Sequence, residues 1–263
     1  KRDGDFHRWY RIRSAGVGHR HENARRTCRN EIFMGEWEMK TTKIDWCDCT
    51  INPVIGCKND CKYCYARRMN DRFGWIKDWT EPQFYPARLE QLKSKKPKSI
   101  FMDSMSDIGW WDEKWGMLTM NAISNNPQHS YIFLTKGECK YPSGLHAIWS
   151  IRDVWKLKNV FIGKTVDTQS KFNPFEHYDF LSIEPLLQPI DLSNIVYNFY
   201  IKQVIIGAET GNRKGKVIPE KKWVDDIVKQ CDKADVRVFM KSSLKDIMGK
   251  DFRQDELIWE NGK

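Results

Sequence analysis

The chain has 263 residues, of which 40% are hydrophobic and 30% charged, with a net charge of +9. A length of this order holds one large α/β domain or two small ones. No apolar run approaches the roughly 18 residues of a membrane span, and no apolar core of a signal peptide precedes the first polar stretch. A membrane protein is therefore excluded, and a cytoplasmic location is the expectation. Eight cysteines in a chain this long do not suggest a disulfide framework, and in a reducing compartment a tight group of them points to metal.

Residues 1–38 are rich in Arg, Gly, His and Asn without sustained periodicity. They are read as a poorly ordered or non-native extension, with a single domain over 39–263 that opens at Met39. From there short apolar runs alternate with longer helical stretches. Strands are expected at 50–54, 99–103, 130–135, 159–165, 180–184, 203–207 and 237–241. Their near-continuous Ile, Val, Phe and Leu suit strands buried on both faces of a parallel sheet. Helices are expected at 61–73, 112–125, 142–155 and 219–234. Seven strands with intervening helices predict an α/β fold, a partial or complete (β/α) barrel of the TIM-barrel type.

In such barrels the working rim lies at the C-terminal ends of the strands. Those ends carry Asp103, Ser104, Ser106 and Asp107, then Thr135 and Lys136, Thr165 and Asp167, Glu184, Glu209, and Lys241 with Ser242. Any one of these serves equally well as a helix cap. Converging on one mouth, they make a site.

The densest chemistry follows the first expected strand, in Cys57-Lys-Asn-Asp-Cys61-Lys-Tyr-Cys64. Three thiolates this close repel one another unless a cation or cluster neutralises them, and iron–sulfur clusters are held by cysteines at such spacings. Three ligands on a four-iron cluster leave one iron open, the arrangement that separates catalytic from closed metal sites. Zinc held by the same three cysteines plus Cys47 or Cys49 is the other reading.

Cys57, Cys61 and Cys64, with Tyr63 before the last, resemble the signature of the radical S-adenosylmethionine superfamily. Asp45-Trp46, Asn52-Pro53, Cys64-Tyr65-Ala66, Asp103-Ser-Met-Ser-Asp107, Ser182-Ile-Glu-Pro-Leu-Leu187 and Ile206-Gly-Ala-Glu-Thr-Gly211 further resemble a phage-borne and bacterial family with this three-cysteine motif and no assigned reaction. Gly137-Glu138, Ser242-Ser-Leu244 and Gly163-Lys-Thr-Val-Asp167 depart from that family's pattern.

The resemblance implies a barrel of the radical S-adenosylmethionine type. Its metal ligands would be Cys57, Cys61 and Cys64, holding a [4Fe–4S] cluster with S-adenosylmethionine as second cofactor. Ser104 and Ser106 would meet the methionine amino group, Thr165 or Asp167 the ribose, and Tyr63 and Gly207 the adenine. Glu184, Glu209 and Lys136 are the candidate catalytic residues, and a flavodoxin or ferredoxin is the implied reductant. A nucleic acid or nucleotide is the favoured substrate. The rival from another class is a zinc-stabilised, non-catalytic nucleic-acid-binding protein. A third reading is a barrel that binds its cluster without turnover.

Overall fold

The computed structural model describes residues 39–260 apart from Lys40, Glu138 and Tyr141. The chain divides into two units, 1–35 and 36–263, and every described residue lies in the second. The expected extension over 1–38 falls outside the described residues.

Seven strands form one parallel sheet: β1 (Cys49–Thr50), β4 (Ser99–Phe101), β5 (Ser130–Thr135), β6 (Val160–Thr165), β7 (Phe180–Ile183), β8 (Gln203–Ile206) and β9 (Arg237–Met240). They pair in the order β1-β4-β5-β6-β7-β8-β9, each with the next in that series. Among the described residues no pairing joins β9 back to β1, so the sheet curls into a partial barrel and does not close. A separate two-stranded antiparallel ribbon joins β2 (Val54–Ile55) to β3 (Gln83–Phe84).

The first strand is shorter than expected because Pro53 has no N–H for a ladder. The sheet bonding continues one residue past β1, with Ile51 N donating to the Phe101 carbonyl at 3.1 Å, and the chain then turns away into β2. Asn52 is freed by that turn, and its side chain braces the rim described below.

Five α-helices follow: α1 (Tyr65–Phe73), α2 (Glu113–Ser124), α3 (Ser143–Val154), α4 (Lys221–Lys233) and the short α5 (Lys245–Met248). The Asp112 side chain caps α2 by accepting from Lys114 N at 2.9 Å. A cysteine does this at α1, where Cys64 Sγ accepts from Arg67 N at 3.3 Å. The connections after β6 and β7 contain only 3-10 turns, at Gln169–Lys171 and Ser193–Tyr197. Leu186, Ile190, Leu192, Ile195 and Ile201 cover the sheet there in place of a helix.

Strand periodicity sorts the core into three layers. Ile100, Met102, Tyr131, Phe133, Val160 and Ile162 face outward and pack on Met120, Ile123, Leu145 and Ile148 of α2 and α3. Leu181, Ile183, Val204, Ile206, Val238 and Met240 do the same against Val224, Ile227 and Cys231 of α4. The alternate residues Phe101, Ile132, Phe180, Ile205 and Phe239 face inward, around Trp46, Leu257 and Trp259.

Trp259 fills the barrel at the end opposite the rim. Its ring lies 5.1 Å from Phe180 and 5.9 Å from Phe161 and Trp46. Its indole N–H donates to the Trp46 carbonyl at 2.9 Å, and its carbonyl accepts from Ser130, the first residue of β5, at 3.0 Å. Gln203, first in β8, accepts from Ile258 N at 2.9 Å. The C-terminal segment is thus the floor of the half-barrel.

Candidate functional site

Continuing the inward register up each strand turns apolar residues into polar ones. Above Phe101 comes Asp103, above Ile132 and Leu134 comes Lys136, and above Phe161 and Gly163 comes Thr165. Above Phe180 come Ser182 and Glu184, and above Phe239 comes Lys241. All six of these polar residues line a single cavity of about 220 Å³ that also takes in Cys57, Cys61, Tyr63, Cys64, Ser104, Ser106 and Glu209. Asp167 and Gly207 do not line it.

The three cysteines are half-buried thiols, none of them in a disulfide. Cys57 Sγ accepts from Asn59 N at 3.4 Å, and Cys64 Sγ sits at the positive end of the α1 dipole. Burial, the Asp107 carboxylate and the Cys61 and Cys64 sulfurs push the Cys57 thiol up, so its thiolate form requires a cationic partner. Cys57 and Cys64 pack against Ile55, Ala66, Ile76 and Trp79, which wall them from one side. Three thiols opening into one cavity, with backbone N–H groups on two of the sulfurs, fit a thiolate-bound cluster.

Among the described residues no group of three or more His, Cys, Asp or Glu side chains is gathered tightly enough to hold one metal ion. A cluster takes one thiolate per iron and so spreads its ligands more widely than a single tetrahedral ion does. The candidate fourth zinc ligands lie elsewhere. Cys49 is fully buried in the outward-facing core with its Sγ 3.6 Å from Met39 Sδ, and Cys47 packs with the inner layer.

The loop after β4 is held by residues that sequence reasoning did not single out. Asn52 Oδ1 accepts from Ser104 Oγ at 3.1 Å and from Met105 N at 2.9 Å. The Ser104 carbonyl accepts from Tyr65 Oη at 2.8 Å, and Ser106 Oγ accepts from Trp111 Nε1 at 3.0 Å. Both serines therefore line the cavity with their oxygens already positioned. Asp107 does cap the following turn, through Gly109 N at 2.8 Å, and does more besides. It also accepts from Thr135 Oγ1 at 2.7 Å, Lys136 N at 2.9 Å and Asn59 Nδ2 at 2.8 Å. One buried carboxylate thereby ties the cysteine loop to the ends of β4 and β5. Because Asn59 lies inside the cysteine motif, its polarity was legible and its partner was not.

The charged candidates occur as pairs. Lys136 Nζ donates to Tyr63 Oη at 2.6 Å and lies 3.4 Å from Asp167 Oδ2, while Tyr63 donates to the same carboxylate. Burial raises the Asp167 carboxyl, but Lys136, Tyr63 and Lys171 outweigh it and hold the group below its ordinary range. Asp167 thus acts behind Tyr63 and Lys136, one contact away from the cavity. Glu209 is gripped by Arg213 through both oxygens, Nη2 to Oε2 at 2.7 Å, which holds its carboxyl low.

Glu184 pairs with Lys241 across Gly207. A Cβ at Gly207 would stand 3.0 Å from Lys241 Cδ and 3.2 Å from Glu184 Cγ. The glycine expected against a flat ring also makes room for an ion pair. Gly163 has the same logic lower down, where a Cβ would lie 2.3 Å from Phe180 Cζ. Lys164, one of the departures from the resembled pattern, pairs with Glu176 and does not line the cavity.

A stretch of 100 residues, 37% of this chain, is 37% identical to the uncharacterized protein MJ0683 of Methanocaldococcus jannaschii and covers 38% of that protein, so the chain spans little more than a third of this relative's length. No solved structure matches the chain significantly. Residues 41–250 match the family described as "Protein of unknown function (DUF5131)", from before β1 to the turn after α5, and the chain belongs to that family.

Proposed function

We propose that the protein is a radical S-adenosylmethionine enzyme whose cluster is held by Cys57, Cys61 and Cys64. The observation that carries this reading is the convergence of those three thiols with the inward polar ring of a partial barrel in one cavity. Held by Cys57, Cys61 and Cys64, a [4Fe–4S] cluster would supply the electron for reductive cleavage of S-adenosylmethionine to a 5′-deoxyadenosyl radical, and a donor of the flavodoxin or ferredoxin type would supply that electron in turn.

The chain's own residues bind, orient and exclude. The Asp107–Asn59 bond fixes the cysteine loop over the strand ends. Ser104 and Ser106 present oxygens suited to an ammonium group, and Thr165 presents a hydroxyl deeper in the cavity. Lys136 and the Glu184–Lys241 pair bring charges of both signs to the cavity lining, where a substrate can be oriented by hydrogen bonds to either. The Trp259 floor and the apolar inner layer keep water from entering from below.

The test is anaerobic reconstitution of the full chain with iron and sulfide, then dithionite reduction with S-adenosylmethionine and chromatography for 5′-deoxyadenosine. A brown protein that releases it, with both properties lost in Cys61→Ala, is expected. A colourless protein holding one zinc overturns the reading in favour of the zinc-stabilised rival.

A further inference from the structure

Helix α1 is inverted relative to an ordinary surface helix. Its buried residues are Ala66 and Asn70, while Tyr65, Met69 and Phe73, spaced four apart on one face, are 47%, 39% and 55% exposed. Globular proteins seldom leave such a stripe uncovered without a use for it. It begins in the cavity wall at Tyr65 and runs outward for about 12 Å at the helical rise.

At its far end the stripe is completed by a built platform. Gly74 ends α1 in the left-handed conformation, with φ of 64° and its N–H on the Asn70 carbonyl at 2.7 Å. That reversal brings Trp75 back onto Phe73, with ring centroids 5.4 Å apart and planes 25° from parallel. Buried Asn70 locks the turn, donating to the Ile76 carbonyl at 3.1 Å and accepting from Ile76 N at 3.0 Å. The exposed aromatics are therefore held in place.

Cations flank the stripe. Arg72 lies over the Phe73 ring, its Cζ 5.2 Å from the centroid. Arg68, one turn earlier on the same edge, lines the cavity mouth and reaches toward Gly211, whose added Cβ would meet its Nη2 at 3.6 Å. Beyond Gly211 the loop exposes Lys214 and Lys216. The acidic residue of α1, Asp71, falls on the opposite side of the helix with Arg67. Flat rings interleaved with guanidinium groups, along a track that starts at the cavity wall, match the stacking planes and phosphates of a single nucleic-acid strand.

We infer that the α1 face from Tyr65 to Trp75 binds single-stranded nucleic acid and leads one nucleotide into the cysteine-lined cavity. The inference rests on the proposed activity only for what happens to that nucleotide, since the binding itself needs no cofactor.

The test is fluorescence anisotropy with a short labelled single-stranded oligonucleotide and the full chain free of iron, repeated with Cys61→Ala. Phe73→Ala and Trp75→Ala are each expected to weaken binding about ten-fold, the size of one lost stacking contact. Arg68→Gln should weaken it and flatten its salt dependence, while Lys222→Gln on α4 should leave it unchanged. Folding of each variant is checked by its cooperative unfolding, and the exposed aromatics make loss of fold an unexpected result. Unchanged affinity in both aromatic variants, or equal loss in Lys222→Gln, overturns the proposal. So does loss of cross-linking to a ferredoxin in the aromatic variants with strand binding intact, which would make the stripe a reductant dock. Binding that persists in Cys61→Ala while deoxyadenosine is absent separates failure of the reaction from failure of this surface.

Discussion

Two glycines and one aspartate show how single positions set the inner wall. Gly163→Ala puts a methyl group 2.3 Å from the Phe180 ring, and Gly207→Ala puts one 3.0 Å from the flexible Lys241 side chain. Overpacking of this kind costs about 1–3 kcal/mol, and the buried ring cannot yield as the lysine can. Gly163→Ala should therefore lower the urea midpoint more than Gly207→Ala, which should chiefly separate Glu184 from Lys241.

Asp103 is the titrating residue of the wall. Burial and the Asp107 charge raise its carboxyl well above the usual range, despite bonds from Leu134 N and Ile108 N. Its folded value exceeds its unfolded value of about 3.9. The contribution to stability is thus complete below the unfolded value and is lost as pH rises through the folded one. Asp103→Asn, which keeps an acceptor for Leu134 N, should remove that loss. Urea midpoints of the two proteins should diverge in the variant's favour as the pH rises above about 4, the unfolded value; parallel curves would mean that Asp103 is ionised throughout at little cost.

At the scale of elements, the segment after β9 does what no strand does. Leu257, Ile258 and Trp259 close the floor, and Trp259 contacts three other rings there. Trp259→Ala leaves a ring-sized void and should cost about 3–5 kcal/mol, measured as a drop in the denaturation midpoint. Because the floor lies at the opposite end from the cysteines, reconstituted iron per folded chain should stay unchanged. Helix boundaries were largely legible in the sequence. The helices expected at 112–125, 142–155 and 219–234 are observed at Glu113–Ser124, Ser143–Val154 and Lys221–Lys233. Helix α1 starts four residues later than expected, because Cys61–Cys64 forms a loop whose last cysteine becomes the cap.

For the whole molecule, the question is whether the cysteine site builds the fold or sits on it. The two outward-facing cores and the Trp259 floor contain neither Cys61 nor its two partners. Only the small cluster around Ile55, Ile76 and Trp79 packs against Cys57 and Cys64. The triple variant Cys57→Ser, Cys61→Ser, Cys64→Ser should therefore unfold cooperatively, with near-native circular dichroism and no iron uptake. A fold nucleated by a structural zinc would instead collapse without its ligands.

The sequence by itself determined the parallel α/β character, six of the seven strands of the parallel sheet to within two residues, and the placing of polar groups at their C-terminal ends. These follow from local patterns: buried runs read as strands, and the residue after a buried run reads as rim. The proximity of three cysteines was also a local fact, set by loop spacing. Only the tertiary structure decided that the barrel stays open, that Asn52, Asn59 and Asp107 brace the cysteine loop, and that Gly207 accommodates an ion pair. Those outcomes depend on contacts between residues far apart in the chain, such as Asn59 with Asp107 and Glu184 with Lys241. No window of sequence contains both partners, and their meeting is set by sheet register and strand curvature, which local propensity does not encode.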